Sequence, residues 1–323
     1  MHHHRFLTLA YTFLVAATAF AASAHAQGWP ARPVRVIVPY APGGATDAIA
    51  RPWADQLGQA LGQQFVVENR GGASGMIGAE AAAKSPPDGY TVLLTPNAPL
   101  TVLPSLRPTP YDPIKSFDPV GRVGDVINGF VIHPSVGVKT FQEMVAYAKK
   151  NPGKLAYASS GSGTSTHLRI EALKLKAGID ILHVPYRGGA DSLNDLLPGN
   201  VQMMNEPITI QHVKAGKLIL LNINGSARRP DFPDVPTLTE LGIEGADVPI
   251  WFSILAPAGV PKDIITKLNA KIVELAQTEE MKAKMWAVNA VVPLQTPEEM
   301  ARHLIEDTKR NAEVIKAASI KIE

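Results

Sequence analysis

Short β-branched runs alternate with amphipathic helical segments along this chain. Val34–Val38 consists of β-branched residues apart from Arg35. The apolar residues that follow recur every four positions, as on one face of a helix: Ile49, Trp53, Leu57 and Leu61. The elements predicted next are a strand at Phe65–Glu68, a helix at Met76–Lys84 and a strand at Tyr90–Thr95. Alternation of this kind is typical of a parallel sheet covered by helices.

A second set of alternating elements begins near Thr140. The spacing of Thr140 and Glu143 predicts a capping box at the start of a helix, and Thr296 and Glu299 repeat that spacing near the C-terminus. The strands and helices predicted in between are Leu155–Ser159, Ser165–Ala177, Ile181–Val184, Asp191–Leu197, Val201–Asn205 and Leu218–Ile223. The 323 residues are enough for two domains of about 100–200 residues each, so we predict two α/β lobes.

The order of the elements predicts that the second lobe is inserted into the first. The apolar strand-like pieces Gly129–His133 and Trp251–Ala256 would carry the chain out and back. Helices that open at Pro261 and Pro297 would pack on the first lobe. We expect a first lobe of residues 27–128 and 252–323, a second lobe of residues 129–251, and hinge strands near residues 129–133 and 250–256. Two lobes joined in this way form a cleft that can open and close.

The N-terminal segment has the pattern of a secretory signal. Arg5 supplies a positive charge, and Phe6–Ala22 is almost wholly apolar and small. Ala24–Ala26 has the small-x-small form that signal peptidase requires. The apolar run is shorter than the about 20 residues that a membrane span needs. We therefore expect a signal peptide of residues 1–26, cleavage after Ala26 and export to the periplasm.

Composition and motifs exclude several classes of function. The chain has no Cys, so disulfides, thiolate chemistry and Cys-ligated metal sites are unavailable. The net charge of +2 and the lack of a basic tract argue against nucleic acid or an anionic membrane surface as a partner. No pair of nucleophile and base, metal-ligand set or cofactor motif is readable. We expect a monomeric binding protein with no cofactor and no metal, rather than an enzyme.

Two Gly-rich loops occupy the same position in the two lobes, between a strand and a helix. They are Pro39–Asp47 (PYAPGGATD) and Ser159–His167 (SSGSGTSTH). Glycines let backbone N–H groups approach a ligand closely, and the N-terminus of the following helix carries about half a positive charge. Neither loop contains Lys or Arg. Each loop is therefore predicted to hold a carboxylate by neutral dipoles at the carboxyl end of a strand.

Nucleotide binding and hydrolysis fit these loops less well. Neither loop has the Gly-Lys-Ser/Thr sequence of a P-loop, and the second lacks the third glycine of the dinucleotide fingerprint. The Gly-x-Ser-x-Gly elbow of hydrolases is absent from both. Gly-rich turns between strands and helices also occur for purely structural reasons, and for either loop alone that interpretation stays open.

Seven distinctive stretches span nearly all of the chain after the signal. They are Pro39–Asp47 (PYAPGGATD), Glu68–Gly78 (ENRGGASGMIG), Pro86–Tyr90 (PPDGY), Tyr111–Phe117 (YDPIKSF), Ser159–His167 (SSGSGTSTH), Val184–Gly188 (VPYRG) and Ala256–Pro261 (APAGVP). In this order they resemble the Bug proteins, the TctC-like solute receptors of tripartite tricarboxylate transporters. The resemblance implies an α/β, two-lobed periplasmic binding protein (Venus flytrap), type II-like, with two sheets joined by two crossover strands. It also implies delivery of carboxylates to the membrane subunits of such a transporter.

The two loops and the resemblance together indicate which residues bind the ligand. In the first lobe these are Tyr40, Gly43, Gly44, Ala45, Thr46 and Asp47, with Asn97 in a loop beside the cleft. In the second lobe they are Ser159, Gly161, Thr164, Ser165, Thr166 and His167, with Arg187 as the candidate cation for the far end of the ligand. Structural alternatives exist for three of them: Asp47 as a helix cap, His167 as a hydrogen-bond donor within the fold and Arg187 as a member of an ion pair.

One segment departs from the pattern of the family. After Val201, where relatives commonly carry Asp two or three residues from the strand end, this chain has Met203-Met204-Asn205-Glu206-Pro207. Asn205 in place of a carboxylate would remove a repulsion toward a second acid group of the ligand. We therefore add Asn205 to the expected site and expect a dicarboxylate or an aromatic acid such as terephthalate. A sensor subunit that feeds a two-component signalling receptor is the alternative to a transport receptor.

The signal assignment predicts where the mature protein begins. N-terminal sequencing of protein from the periplasmic fraction should start at or near Gln27, because cleavage follows the small residue Ala26. Ala26→Leu should block cleavage, since the larger side chain does not fit the shallow pocket of the peptidase. An uncleaved wild-type chain retained in the cytoplasm would contradict the assignment.

Overall fold

The computed structural model describes residues 28–225 and 227–322. The predicted signal peptide, residues 1–26, lies outside these residues. In the described ranges, none of the helices combines the length and the apolar character needed to cross a bilayer.

The strands are β1 (Val34–Val38), β2 (Phe65–Asn69), β3 (Thr91–Pro96), β4 (Phe117–Val126), β5 (Val131–Ile132), β6 (Ala156–Ser159), β7 (Leu182–Pro185), β8 (Met203–Met204), β9 (Ile219–Leu220), β10 (Trp251–Pro257) and β11 (Ala290–Val291). The helices are α1 (Ala45–Leu61), α2 (Met76–Ala83), α3 (Phe141–Lys150), α4 (Ser165–Ala177), α5 (Gly189–Leu196), α6 (Ile210–Lys214), α7 (Lys262–Ala276), α8 (Glu279–Ala287) and α9 (Pro297–Ala317).

Two sheets form the centres of the two lobes. The strand order is β11-β4-β10-β3-β1-β2 in the first sheet and β7-β6-β8-β5-β9 in the second. In the first sheet β1 runs parallel to β2 and β3, whereas β10 runs antiparallel to β3 and β4. In the second, β6 runs parallel to β7 and β8, whereas β5 runs antiparallel to β8 and β9. The prediction of two α/β lobes is confirmed, but both sheets are mixed rather than wholly parallel.

The chain enters each lobe from the other lobe by a strand that runs antiparallel to its neighbours, β5 in the second lobe and β10 in the first. The parallel strands β1 and β6 end where the two lobes face each other, and their Gly-rich loops follow. A strand that enters from the facing lobe begins at that edge and therefore runs in the opposite direction. Accordingly, Phe252 near the start of β10 pairs with Pro96 at the end of β3. The helices after the parallel strands consequently begin at the edge that faces the other lobe.

Both faces of the first sheet are buried. In β1, Val36 packs with α1, α7 and α8 on one face, and Ile37 packs with α2 and α9 on the other. A strand covered on both faces needs no polar side, which explains why four of the five residues of β1 are Val or Ile. The second sheet repeats this arrangement, with Tyr157 of β6 in one core and Ala158 in the other.

The connections between the lobes lie next to each other. The backbone N–H of Val126, at the end of β4, donates to the carbonyl of Ile250 at 2.9 Å. The piece Trp251–Ala256, expected near the hinge, belongs to β10, which is buried throughout and bonded to a strand on each side. Val131–Ile132 likewise belongs to the second sheet. The chain therefore crosses between the lobes in the segments immediately before β5 and before β10.

Helix starts follow the capping signals in the sequence. At α9, Thr296 Oγ1 accepts from Glu299 N at 3.2 Å and the Glu299 carboxylate accepts from Thr296 N at 2.8 Å, so this capping box is confirmed. At α3, Thr140 Oγ1 accepts from Glu143 N at 3.2 Å. The Glu143 carboxylate, however, accepts from Lys139 N at 2.7 Å, one residue before the predicted donor. The capping residue is as predicted in both helices, and the reciprocal bond is shifted in one.

Helix α9 contacts both lobes. Met300 and Leu304 pack against the first sheet, whereas Ile315 packs with Leu168 of α4 in the second lobe. The fully buried Asp307 lies between these two contacts. Its Oδ2 accepts four hydrogen bonds: from Asn97 Nδ2 at 3.1 Å, Thr101 Oγ1 at 2.8 Å, Trp251 Nε1 at 3.1 Å and Asn311 Nδ2 at 3.0 Å. One carboxylate thus joins α9, β10 and the segment after β3.

Removing this acceptor should destabilise the fold. Asp307→Ala leaves several buried donors without a partner, and each such group costs about 1–3 kcal/mol. We expect the free energy of unfolding to fall by about 3 kcal/mol or more, measured by urea denaturation. The matched control is Glu306→Ala, which removes an exposed acid of the same helix and should change stability by less than about 0.5 kcal/mol. Equal effects of the two substitutions would contradict the structural role of Asp307.

Candidate ligand-binding cleft

A cavity lies between the two lobes. The N-termini of three helices meet there: α1 after β1, α4 after β6 and α5 after β7. Lining residues from these helices and the loops before them are Tyr40, Ala41, Pro42, Gly44, Ala45, Thr46, Ser160, Thr164, Ser165, Thr166, Gly188, Gly189, Ala190 and Asp191. The remaining lining residues are Pro96, Ala98, Glu206, Ile250 and Phe252. The lining therefore comes from both lobes.

Glycines let the two lobes approach closely at this cavity. Gly43 has a φ of 79°, a left-handed conformation that residues with a side chain rarely adopt. Gly44, the N-cap of α1, has an ordinary φ of −83°. A Cβ added to Gly44 would lie 3.8 Å from the backbone nitrogen of Gly189 in the second lobe. A larger residue at this position would therefore fill the space between the facing loops.

Asp47 fixes the shape of the first loop and does not line the cavity. It lies in the first turn of α1, whose N-cap is Gly44, so the alternative that Asp47 caps this helix is wrong. Its carboxylate accepts from Gly43 N at 3.1 Å, Arg51 Nε at 2.8 Å and Asn69 Nδ2 at 3.0 Å. Burial raises the pKa of Asp47, but the hydrogen bonds from Arg51, Gly43 and Asn69 outweigh burial and lower it. Asp47 and Gly43 are not among the residues that line the cavity.

Thr164 ties the second loop to the start of α4. Its Oγ1 accepts from His167 N at 3.4 Å and donates to the carbonyl of Gly161 at 2.7 Å. The Nδ1 of His167 accepts from Gly163 N at 3.1 Å, which fixes the turn between them. Thr164 also lines the cavity, whereas Gly161 and His167 do not. Gly161 and His167 therefore fix the shape of the loop without lining the cavity.

The imidazole of His167 belongs to a buried aromatic stack. Its ring lies 4.1 Å from that of His183, measured between centroids. Burial lowers the pKa of His167 to about 4, and burial together with the neighbouring His167 lowers the pKa of His183 to about 3. Ser159 Oγ lies 2.6 Å from Nε2 of His183, so it too is engaged beneath the loop. This geometry favours the structural interpretation of His167.

Asn97 connects the lobes beside the cavity and does not line it. Its Oδ1 accepts from Ser165 Oγ at 2.7 Å, and its Nδ2 donates to Asp307 at 3.1 Å. A second bond between the lobes runs from Ser74 Oγ to the carbonyl of Ser162 at 2.6 Å. Both bonds place the N-terminus of α4 against the first lobe, so they narrow the cleft around the cavity.

The segment after β8 brings Glu206, rather than Asn205, to the cavity. Asn205 Oδ1 accepts from Arg169 Nη1 at 3.0 Å and from Asn128 Nδ2 at 3.4 Å in a buried cluster. Glu206 lines the cavity and is 4% exposed. The expectation that Asn205 replaces a carboxylate at the cleft is therefore wrong, because a carboxylate is present one residue later. The side chains after a short strand point in different directions, and the sequence pattern did not resolve which one faces the cleft.

Glu206 has an unusual electrostatic setting. Burial raises its pKa to about 7, although the hydroxyls of Ser160 and Thr166 and the guanidinium of Arg169 act in the opposite direction. Within the described part of the chain, its Oε1 has no hydrogen-bond partner. The cavity therefore contains a buried carboxyl group that gains or loses a proton near neutral pH.

Arg187 is exposed and lies outside the cavity lining. The lining residues that the structure describes include no Lys or Arg, and their acids are Asp191 and Glu206. A negatively charged ligand would thus meet backbone N–H groups, hydroxyls and two acidic side chains, and no cationic side chain of the described lining. The turn Gly188–Ala190, which adds the third helix N-terminus, was missed, although the Val184–Gly188 stretch ends in it and follows a strand as the other two loops do.

The cavity suits non-covalent binding of a small solute. The three helix N-termini supply donors with a positive potential, and Phe252, Ile250 and Pro96 supply apolar walls. Residues 28–225 and 227–322 contain no group of three or more His, Asp and Glu side chains that could hold a metal ion.

Comparisons with known proteins agree with this arrangement. The family described as "Tripartite tricarboxylate transporter family receptor" (TctC) matches residues 49–320. Protein BugT of Bordetella pertussis (strain Tohama I) is 38% identical over 312 residues, which cover 95% of this chain and 96% of that protein. The solved structure of Rpa4515 from R. palustris with adipate is 33% identical, with a TM-score of 0.87 over 91% of this chain and 99% of that chain. MatC (Rpa3494) from Rhodopseudomonas palustris with bound malate is 29% identical, with a TM-score of 0.83 over 89% of this chain and 100% of that chain.

The family match runs from within α1 to just beyond the end of α9 and so includes both lobes. The resemblance predicted from the seven stretches is confirmed, as is the two-lobed fold. The family and the fold are those of periplasmic solute-binding receptors and not of enzymes. This chain belongs to the tripartite tricarboxylate transporter receptor family, among the Bug proteins.

Proposed function

We propose that this receptor captures a small dicarboxylate between its lobes and delivers it to the membrane subunits of a tripartite tricarboxylate transporter. The observation that carries the proposal is the convergence of three helix N-termini on a cavity whose described lining has no Lys or Arg. Each N-terminus presents backbone N–H groups without intrahelical partners and about half a positive charge. The two related structures hold adipate and malate, which are both dicarboxylates.

A dicarboxylate matches the two-sided arrangement of donors. The N-terminus of α1 belongs to the first lobe, and those of α4 and α5 belong to the second. A ligand with an acid group at each end can contact both lobes at once and so stabilise their closed arrangement. Pro96, Ala98 and Phe252 provide an apolar surface for the carbon chain or ring between the acid groups. Terephthalate has the same pattern of two carboxylates on an apolar body.

The movement that admits and releases the ligand involves two rigid lobes. We assign residues 27–128 and 252–323 to the first lobe and residues 129–251 to the second, hinged at the segments before β5 and β10. The bond between Val126 and Ile250 holds these two segments together, so one can bend with the other. The receptor acts as a monomer in the periplasm after removal of residues 1–26.

Isothermal titration calorimetry with adipate, malate and terephthalate tests the proposed function. At least one of them should bind, and 1,6-hexanediol, which has the same carbon chain as adipate without its charge, should not. Equal binding of the diol and the acids, or no binding of any dicarboxylate, would contradict carboxylate capture.

Filling the space between the facing loops should abolish binding without unfolding the protein. Gly44→Val places a branched side chain close to Gly189, whereas the φ of Gly44 is one that valine tolerates. We expect the affinity for the bound dicarboxylate to fall at least 100-fold, with an unchanged circular dichroism spectrum. Gly28→Val is the control, since a Cβ on Gly28 meets nothing within 4 Å. Unaltered binding by Gly44→Val would place the ligand elsewhere.

The proposed dipolar site and a salt bridge to Arg187 make opposite predictions. Thr46→Val removes a buried hydroxyl at the cavity and keeps the shape of the side chain, so affinity should fall roughly fivefold, the equivalent of about 1 kcal/mol. Arg187→Ala removes an exposed cation outside the cavity and should change affinity less than about twofold. Thr266→Val, on the exposed face of α7, is the control for the hydroxyl substitution. A large loss by calorimetry in Arg187→Ala, with none in Thr46→Val, would rule out the dipolar site.

A further inference from the structure

Glu206 is the one acid of the described cavity lining that is buried, and its surroundings restrict what it can bind. It follows β8 and precedes the turn at Pro207–Thr209. A Cβ added to Gly189, at the N-terminus of α5, would lie 3.3 Å from both Cδ and Oε2 of Glu206. The carboxyl group therefore lies directly against the helix terminus that is proposed to receive the ligand. A ligand carboxylate at this terminus would be adjacent to Glu206.

The cationic side chain nearest in the buried cluster is already engaged. Arg169 donates through Nη1 to Asn128 at 2.8 Å and to Asn205 at 3.0 Å, and its Nη2 lies 3.9 Å from Asp247. Its Nε donates to the carbonyl of Val248 at 2.7 Å. Arg169 lowers the pKa of Glu206 only through space, and it does not fill the empty acceptor position at Oε1.

The other titratable groups around Glu206 do not supply a proton or a positive charge near neutral pH. From the first loop, Tyr40 donates its phenolic proton to the carbonyl of Ser74 at 2.9 Å, and burial raises its pKa. From α4, His167 is uncharged because burial lowers its pKa to about 4. From α5, Asp191 adds a second acid to the lining. An ionised Glu206 beside a ligand carboxylate would thus bring two negative charges together in a buried space.

We propose that Glu206 binds the ligand as a carboxylic acid and donates its proton to a ligand carboxylate, so that capture of a dicarboxylate takes up one proton. This inference rests on the proposed function. The hydroxyl of the protonated side chain adds a hydrogen bond to those of the helix termini, and the negative charge that would repel the ligand is absent. The side chain is then specific for an acid group, because a ligand amine or hydroxyl would instead need Glu206 as an acceptor.

The affinity for the ligand should depend on pH, because Glu206 must be protonated to bind it. Burial raises the pKa of the free Glu206 to about 7, so below pH 7 the acid form is already present and affinity is constant. Above pH 7 the proton must be taken from solution, and affinity falls about tenfold for each pH unit. The carboxyl groups of such ligands titrate well below pH 7, so the ligand stays ionised throughout the range from pH 7.5 to 8.5.

Adipate is the probe, because its only polar groups are carboxylates and no donor can come from the ligand. We expect its dissociation constant, measured by calorimetry, to rise about tenfold between pH 7.5 and 8.5 for the wild type. Titrations at pH 8 in buffers of different ionisation enthalpy should show uptake of about one proton. In Glu206→Gln the amide keeps the shape and a donor but cannot titrate, so the pH dependence should disappear. Glu244→Gln, at an exposed site, should keep the wild-type pH dependence.

The outcomes separate the two proposals. Binding of adipate that is independent of pH, or that strengthens as pH rises, overturns the role of Glu206 and leaves carboxylate capture intact. Loss of adipate binding in a folded Glu206→Gln protein shows that the negative charge is required and also overturns it. Should this variant not fold, proton uptake by the wild type decides the question alone. Failure of the wild type to bind any dicarboxylate at pH 6.5 overturns the proposed function and this inference together.

Discussion

The meeting of strand ends and helix beginnings at one edge of each sheet is the constraint on which the rest of the structure depends. A parallel strand and the helix that follows it place a helix N-terminus at the carboxyl end of the strand. The fold repeats this unit after β1, β6 and β7 and turns all three toward the space between the lobes. The strands that return from the opposite lobe run antiparallel and leave this edge intact. The positive electrostatic potential at the cavity therefore comes from the backbone.

The proposed binding by backbone dipoles agrees with the positions of the charged side chains. The ionised Asp47 lies behind the first loop, where it accepts N–H groups and a guanidinium and does not face the cavity. Asp307 lies beneath the lobe contact and reaches the cavity lining only through Asn97 and Ser165. These carboxylates fix the geometry of the loops, whereas Glu206 is the buried acid left facing the ligand space within the described chain. In the proposed role, the protonation state of Glu206 sets the affinity for an anion at this position.

Local patterns predicted the elements well and the directions of single side chains poorly. The bounds of β1 and α4, and the capping box at Thr296, agree with the sequence because each depends on neighbouring residues. His167 of α4 was expected at the ligand, yet it stacks on His183 of β7, a contact that no local pattern encodes. The same holds for Asn205, which is held by Arg169 and Asn128.

By itself, the sequence determined two α/β lobes, two Gly-rich loops between strands and helices, and membership of a receptor family, because strand–loop–helix order and glycine positions are properties of short segments. It did not show that the third loop, Gly188–Ala190, belongs to the site. It also did not show that Glu206, and not Asn205, lines the cavity. Those features depend on how β7 and β8 are placed beside β6, and on which side of a two-residue strand faces the opposite lobe. Only the tertiary structure decides them, since the groups that meet at the cavity are brought together by sheet order and not by distance along the chain.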